Sequence, residues 1–294
     1  MRPHGVLVCF LLTVFPVTLS AQEAGSYQPL SPNGASLSAQ QWASRRTAPL
    51  RSAGTERGTY VLPNDEVFPH LVQGSGWQTI LVLVNLGTTT VKFDQYFFGQ
   101  LGEPQAVTLR TIPEGKVITT NAVTGTLAPR GSFNILLYDT GGPLQVGWSA
   151  LDYDSTNSRL GGYAIFRQSI QGSVDFEALV PLSGSDDSRF VLPFDNLQNF
   201  VTSMAILNPG SISTTVQATI LDLTGKVIGT DSIVLPAGNQ RAFAIPDQFP
   251  VTSNAVGTIL FEGSTTMLSG LGFRFNPQHA FATIPILNWQ GMFQ

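Results

Sequence analysis

Cysteine is almost absent. The 294-residue chain has one, Cys9, and it lies within the first 21 residues. That stretch, MRPHGVLVCFLLTVFPVTLSA, carries a positive charge at Arg2, an apolar run from Val6 to Phe15 and a small-residue exit at Ser20-Ala21. It reads as a signal peptide for export, too short and too interrupted by Pro16 for a membrane anchor. Cys9 sits too early to be a lipid-modified cysteine at the cleavage site. Once the signal is removed, disulfides, a thiol nucleophile and cysteine metal ligands are all excluded. An exported chain of this kind has to be held together by its cores alone.

Charge is scarce as well. Charged residues make up 12% of the chain, about half the usual share, with a formal net charge of −4 and a pI near 5.3. No basic footprint exists for a phosphate backbone, so nucleic acid is not expected as a partner. Hydrophobic residues reach 43%, which argues against disorder over most of the length. No run after the signal is long enough to span a membrane, so no span is expected in the mature chain.

Catalytic signatures are missing too. Outside the signal only His70 and His279 remain, and they share no local motif. There is no HExxH, no G-x-S-x-G elbow and no glycine-rich phosphate loop. Each histidine reads as a loop or partly buried residue, and no cofactor is expected.

What is present is turn chemistry and strand chemistry. Residues 22–58 are rich in Ser, Ala, Gln, Gly and Pro with little apolar periodicity, and read as a disordered, mildly basic arm. From residue 59 onward short β-branched and aromatic runs (WQTILVLVN, TVKFDQYFF, SFNILLYD, GGYAIFRQS) alternate with Gly, Pro, Asn and Asp. That spacing predicts an all-β sandwich or barrel. No window there shows a helical stripe.

The chain also repeats itself. GWQTILVLVNLG at 76–87 and NFVTSMAILNPG at 199–210 both run from an aromatic through an apolar strand to Asn-x-Gly. A shift of 123 sets Trp77 on Phe200, Asn85 on Asn208, Gly87 on Gly210, Gly102 on Gly225, Pro113 on Pro236 and Gly115 on Gly238. Upstream, FPH from Phe68 meets LPF from Leu192. Downstream, VGWSALDY meets VGTILFEG, AIFRQ meets LGFRF, and ALVPL meets ATIPIL. The shift falls to 110 at the Val-Gly pair, which assigns the first copy about 13 extra residues within 116–145. Both IPEGK and LAPRG resemble the LPAGN of the second copy, and the sequence does not choose between them. Asn is read as hydrogen-bonding its own turn and Gly as supplying positive φ.

These features predict two tandem immunoglobulin-like antiparallel β-sandwich domains at 59–183 and 184–288, followed by a C-terminal tail at 289–294. A single sixteen-strand membrane barrel is the competing fold, disfavoured by strands that are apolar on both faces. GWQTILVLVNLG, QVGWSAL, AIFRQ, DFEALVPL, RFVLPFDN, LGFRFNP and FATIPIL resemble uncharacterised secreted bacterial proteins with paired modules, over about residues 60–288. The resemblance implies the fold and export but no activity. Neither half has the Cys…Trp…Cys spacing of antibody domains.

Candidate site residues are few. Asp152 and Asp154 flank Tyr153 and share a face in an extended strand, so with Asn157 they form a weak candidate metal site. The EF-hand pattern fails there. Asp186-Asp187 reads as a solubilising pair in the linker. Asp175 and Glu177 alternate on one face and are expected to pair with Arg167 across a hairpin. Arg167 and Arg274 both follow a Phe inside an apolar strand, which suggests a duplicated, partly buried arginine. Phe93, Tyr96, Phe97 and Phe98 place rings on both faces of one strand. Phe93, Tyr96 and Phe98 are therefore candidates for contact with a partner, the sister module or a ligand. Trp77 and Trp148 read as core.

Three functions are compatible with this pattern. The first is a non-enzymatic protein for adhesion, surface structure or protein interaction, located outside the cell, on its surface or in the periplasm. The second is a carbohydrate-binding module, which needs exposed coplanar rings. The third is a hydrolase with an inter-domain site, which needs two carboxylates or a His–acid pair in a cleft. The expected partner is an extracellular protein or a glycan.

Overall fold

A computed structural model describes residues 38–46, 66–112, 115–153, 159–170, 174–184, 188–264 and 267–288. The signal at 1–21, most of the arm, Asp154, Asn157, Asp186, Asp187 and the tail at 289–294 lie outside the described residues. The described residues are nearly all β, built into antiparallel sheets.

One helix, α1 (Ala39–Arg46), precedes the strands. The first half then runs β1 (Glu66–Gln73), β2 (Trp77–Asn85), β3 (Val91–Gly99), β4 (Val107–Ile112), β5 (Val117–Thr120) and β6 (Ala122–Leu127). It continues β7 (Ser132–Leu137), β8 (Gln145–Tyr153), β9 (Leu160–Gln168), β10 (Phe176–Pro181) and β11 (Ser183–Gly184). The second half runs β12 (Arg189–Asp195), β13 (Val201–Leu207), β14 (Thr214–Asp222), β15 (Val227–Leu235) and β16 (Gln240–Ala244). After a short turn of helix, α2 (Ile245–Gln248), come β17 (Val256–Gly263), β18 (Ser269–Phe275), β19 (Phe281–Ile284) and β20 (Leu287–Asn288).

Each half folds into two facing sheets. In the first their orders are β11-β1-β8-β3-β6 and β10-β9-β2-β7-β4-β5; in the second they are β20-β12-β17-β14-β15 and β19-β18-β13-β16. Once the β4–β5 hairpin is set aside, the two orders match strand for strand. Antibody domains keep their last two strands side by side in one sheet. Here the last two strands of the first half, β10 and β11, lie in opposite sheets, as do β19 and β20 of the second. β11 ends at Gly184, one residue past the boundary expected from sequence.

Core positions follow strand alternation. On β2, Leu81 and Leu83 are fully buried, and on β7 Phe133, Ile135 and Leu137 point the same way. Each such side chain is worth about 1.5–3 kcal/mol when removed from water. The second sandwich buries Phe190, Leu192, Phe194, Ile220, Ile259 and Phe261 in its own interior.

Four features differ from the sequence reading. The arm contains α1, whose Ala39 and Ala43 are buried and whose Ala39 N–H donates to Gly102 O at 2.9 Å. The extra segment of the first half is the β4–β5 hairpin, because β6 pairs β3 as β15 pairs β14. LAPRG, not IPEGK, is therefore the counterpart of LPAGN, and the pairing of Pro113 with Pro236 and Gly115 with Gly238 falls away. Gly87 and Gly210 are not in the left-handed region, whereas Gly102 (φ 80°) and Gly225 (φ 81°) are. A Cβ at Gly210 would sit 3.0 Å from Asn208 Oδ1, which gives that glycine a steric reason instead.

The fourth difference is a bulge. On β1 Phe68 stands opposite Ser149 and Leu71 opposite Gly147, so Pro69 and His70 together oppose Trp148. On β12 Leu192 stands opposite Ile259 and Phe194 opposite Gly257, so Pro193 alone opposes Thr258. His70 is the inserted residue, and Leu71, not His70, corresponds to Phe194. A bulge of this kind re-aims the side chain it carries.

Candidate functional site

The two halves meet through side chains. The core cluster of the first sandwich takes in Ala205, Leu271, Phe273 and Phe281 from the second. A second cluster joins Ala39 and Ala43 of α1 to Val67, Phe98, Trp148 and Leu207. Trp148 stacks at 4.5 Å on Phe98 and donates its indole N–H to Gly238 O at 3.0 Å. Ser183 and Ser269 hydroxyls lie 2.8 Å apart, and the Gln240 backbone N–H donates to Gln100 O at 2.9 Å.

His70 stands in the middle of this junction. Its ring lies edge-on to Phe166 at 5.7 Å and to Phe273 at 6.1 Å, and it is buried. Burial pushes its pKa down to about 4, so the imidazole is neutral near pH 7. Its Nδ1 lies 2.7 Å from Gln240 Nε2. Beside it is a cavity of about 60 Å³ lined by Trp77, Phe166, Met204, Phe273, Phe275 and Phe281 among others. Sequence reasoning passed over His70 because a one-residue bulge leaves no mark in hydrophobic alternation.

The other candidates lie elsewhere. Phe93 faces the first core beside Phe133 at 5.6 Å, and Phe98 is buried under α1 and Leu207. Tyr96 is half-buried on the same face as Phe98. The strand does carry rings on both faces, but its second face is covered. Of the three candidates for contact with a partner, the sister module or a ligand, Phe93 and Phe98 are buried and Tyr96 is half-buried. His279 is exposed in the last turn with φ 67°.

Asp152 is half-buried on β8 opposite Asp94 of β3, which accepts from Thr124 Oγ1 at 2.5 Å. No group of three or more potential metal ligands occurs among the described residues.

Arg167 pairs with Glu177 at 2.6 Å and with Asp175 at 3.9 Å, across the β9–β10 ladder. Arg274 reaches Asp195 at 2.5 Å and stacks 3.6 Å over Phe200. The hydrogen bond from Arg274 holds the Asp195 carboxyl below the usual carboxylate range. The two arginines are not equivalents. Thr79 and Thr202 occupy the same place in each half, since each hydroxyl bonds backbone of the strand facing it in the other sheet, at Val72 of β1 and Asp195 of β12. Phe166 stands opposite Thr79, whereas Arg274 stands opposite Thr202. Arg167 is therefore one residue out of step and on the other face.

No protein-family model and no curated protein matches the chain. Among solved structures, the partial N-terminal region of an enterococcal surface protein is 8% identical, covering 82% of this chain and 98% of that one with a TM-score of 0.20. An anti-sigma factor domain-containing protein from Clostridium clariflavum is 13% identical, covering 72% of this chain and 84% of that one with a TM-score of 0.14. At such scores neither likeness supports an inference.

Proposed function

We propose that the chain is an exported, non-enzymatic protein that works through its surface, in adhesion, surface structure or protein interaction. In this reading it arose by internal duplication of one sandwich and acts outside the cell, at the cell surface or in the periplasm. The observation that carries the reading is the junction. Phe98, Trp148, Phe166, Leu207 and Phe273 pack between the halves, and among the described residues lining the cavity left there His70 is the one titratable side chain. A hydrolytic site there would need a second ionisable group beside it.

Contact would fall on sheet edges. β15 pairs only with β14 and exposes Val227 and Val234, while β10 exposes Leu179. An edge of this length can accept an added strand from a partner. The test is binding of the purified chain to arrays of extracellular proteins, glycans and cell-wall polymers, with product release monitored in parallel. Saturable binding to a protein or surface, weakened by Val227→Lys with Val234→Lys and without turnover, is the expected result. Turnover of a bound polymer would overturn the reading.

A further inference from the structure

The hydrogen bonds around the junction histidine assign it a tautomer. Gln100 Nε2 donates to Gln240 Oε1 at 3.2 Å, which leaves the Gln240 amide nitrogen to donate to His70 Nδ1. A ring nitrogen that accepts carries no proton, so this network assigns the proton to Nε2. The residue is 6% exposed, and the hydrogen bond it makes among the described residues is the one at Nδ1; Nε2 is not among the sealed polar atoms that lack a partner. On the wall of a cavity, a ring N–H not engaged by the protein is available to an acceptor placed there.

The ring forms part of the wall of the 60 Å³ cavity. Val72, Trp77 and Phe166 come from the first half, Met204, Ala205 and Phe273 from the second; Ser203 is the other polar side chain in the lining. Half-buried Ser203, Phe243 and Phe275 and exposed Ala242 bring the cavity to the surface. Since one water needs about 10–15 Å³ in such a space, a group of about five non-hydrogen atoms fits. No carboxylate, ammonium or guanidinium lines it, and burial keeps the imidazole uncharged. A charged ligand would lose its hydration there without a counter-ion. Water is a poor occupant as well, because each buried water wants about three polar partners and the walls are largely apolar.

We propose that this cavity is a binding site for a small neutral molecule with a compact apolar body and one carbonyl or ether oxygen. The body packs against Phe166, Met204 and Phe273, and the oxygen accepts from His70 Nε2–H. The second half has no counterpart, because β12 lacks the bulge and keeps Phe194 in its own core. The inference goes beyond the surface role above, and neither reading depends on the other.

The test is an NMR titration of the full chain with cyclopentanone and, separately, cyclopentane, following the His70 Nε2–H resonance and the methyl group of Met204. The expected result is saturable binding of both below about 0.1 M, the weak range set by so few ligand atoms. Cyclopentanone should bind about 3–10-fold tighter and shift the imidazole N–H, as one net hydrogen bond requires. His70→Phe should abolish that preference. Gln240→Leu, which leaves the histidine in place but releases its tautomer, should reduce it and decides the matter where the Phe variant fails to fold. Absence of saturation, equal affinities, or an Nε2–H held by ordered water that the ketone does not displace would each overturn the proposal.

Discussion

In the first sandwich Asn85 donates to the carbonyls of Thr89, Leu127 and Ala128, and its own carbonyl accepts from Gly87 N–H. In the second Asn208 donates to Ile212, Leu235 and Pro236 and accepts from Gly210 N–H. The same side chain closes the same strand end with the same set of backbone partners. The strands β1 and β12 are different. One carries a bulge that sends His70 into the junction; the other runs straight and sends Phe194 into its own core. Strand ends have fixed backbone groups to satisfy, and one residue type does it in both halves. Faces and bulges answer to what lies beyond the sheet, and only the first half meets the second through β1.

The comparison can be broken most forcefully at its shared element. Trp148→Ala removes a fully buried ring, its stacking on Phe98 and the bond to Gly238. A loss of about 3–5 kcal/mol is expected in denaturant unfolding, and the two halves should then unfold in separate steps. Truncation of a buried ring inside the second core, Phe261→Ala, should destabilise without separating them.

Acid acts on the first half through His70. The folded pKa is depressed to about 4 from an unfolded value of 6.5. Below pH 6.5 the unfolded chain takes up a proton that the folded chain refuses. Stability is therefore full above that pH and falls as pH drops towards 4, by up to about 3 kcal/mol. Urea titrations from pH 7 to pH 4 should show this slope, and His70→Phe should remove most of it.

The matched asparagines sharpen the likeness. Asn85→Ala and Asn208→Ala each strand buried carbonyls and should cost about 2 kcal/mol apiece. Their effects should agree within about 0.5 kcal/mol and add in the double variant. The smallest effects belong to the arginines. Arg274→Ala, which loses both the Asp195 bond and the ring contact, should cost about 1 kcal/mol, and Arg167→Ala less than about 0.5 kcal/mol. The Asp195 contribution should be present above the normal carboxylate range and fade as pH falls through the lowered value.

Strand chemistry was plain in the letters, because alternation and the Gly, Pro and Asn punctuation are local. The Asp175–Glu177–Arg167 pairing was legible for the same reason: a hairpin sets partners two apart on one face. The bulge was not, since FPH and LPF align without a gap and hydrophobicity cannot show an extra backbone unit. The helix α1 was missed because it buries alanines, which give AQQWASRR no apolar stripe. The matched Phe-Arg pairs misled, because a one-residue offset in a ladder moves a side chain to the opposite face. Phe93, Tyr96 and Phe98 were offered together without a choice of face; Phe93 belongs to the first core, and what covers Phe98 comes from the helix and from Leu207, far away in sequence.

The central claim is that two sandwiches share buried surface across their junction and so fold as one unit. Scanning calorimetry of the full chain at pH 7 tests it most directly. The account predicts a single transition whose calorimetric and van't Hoff enthalpies agree; two transitions, each with about half the total enthalpy, would contradict it.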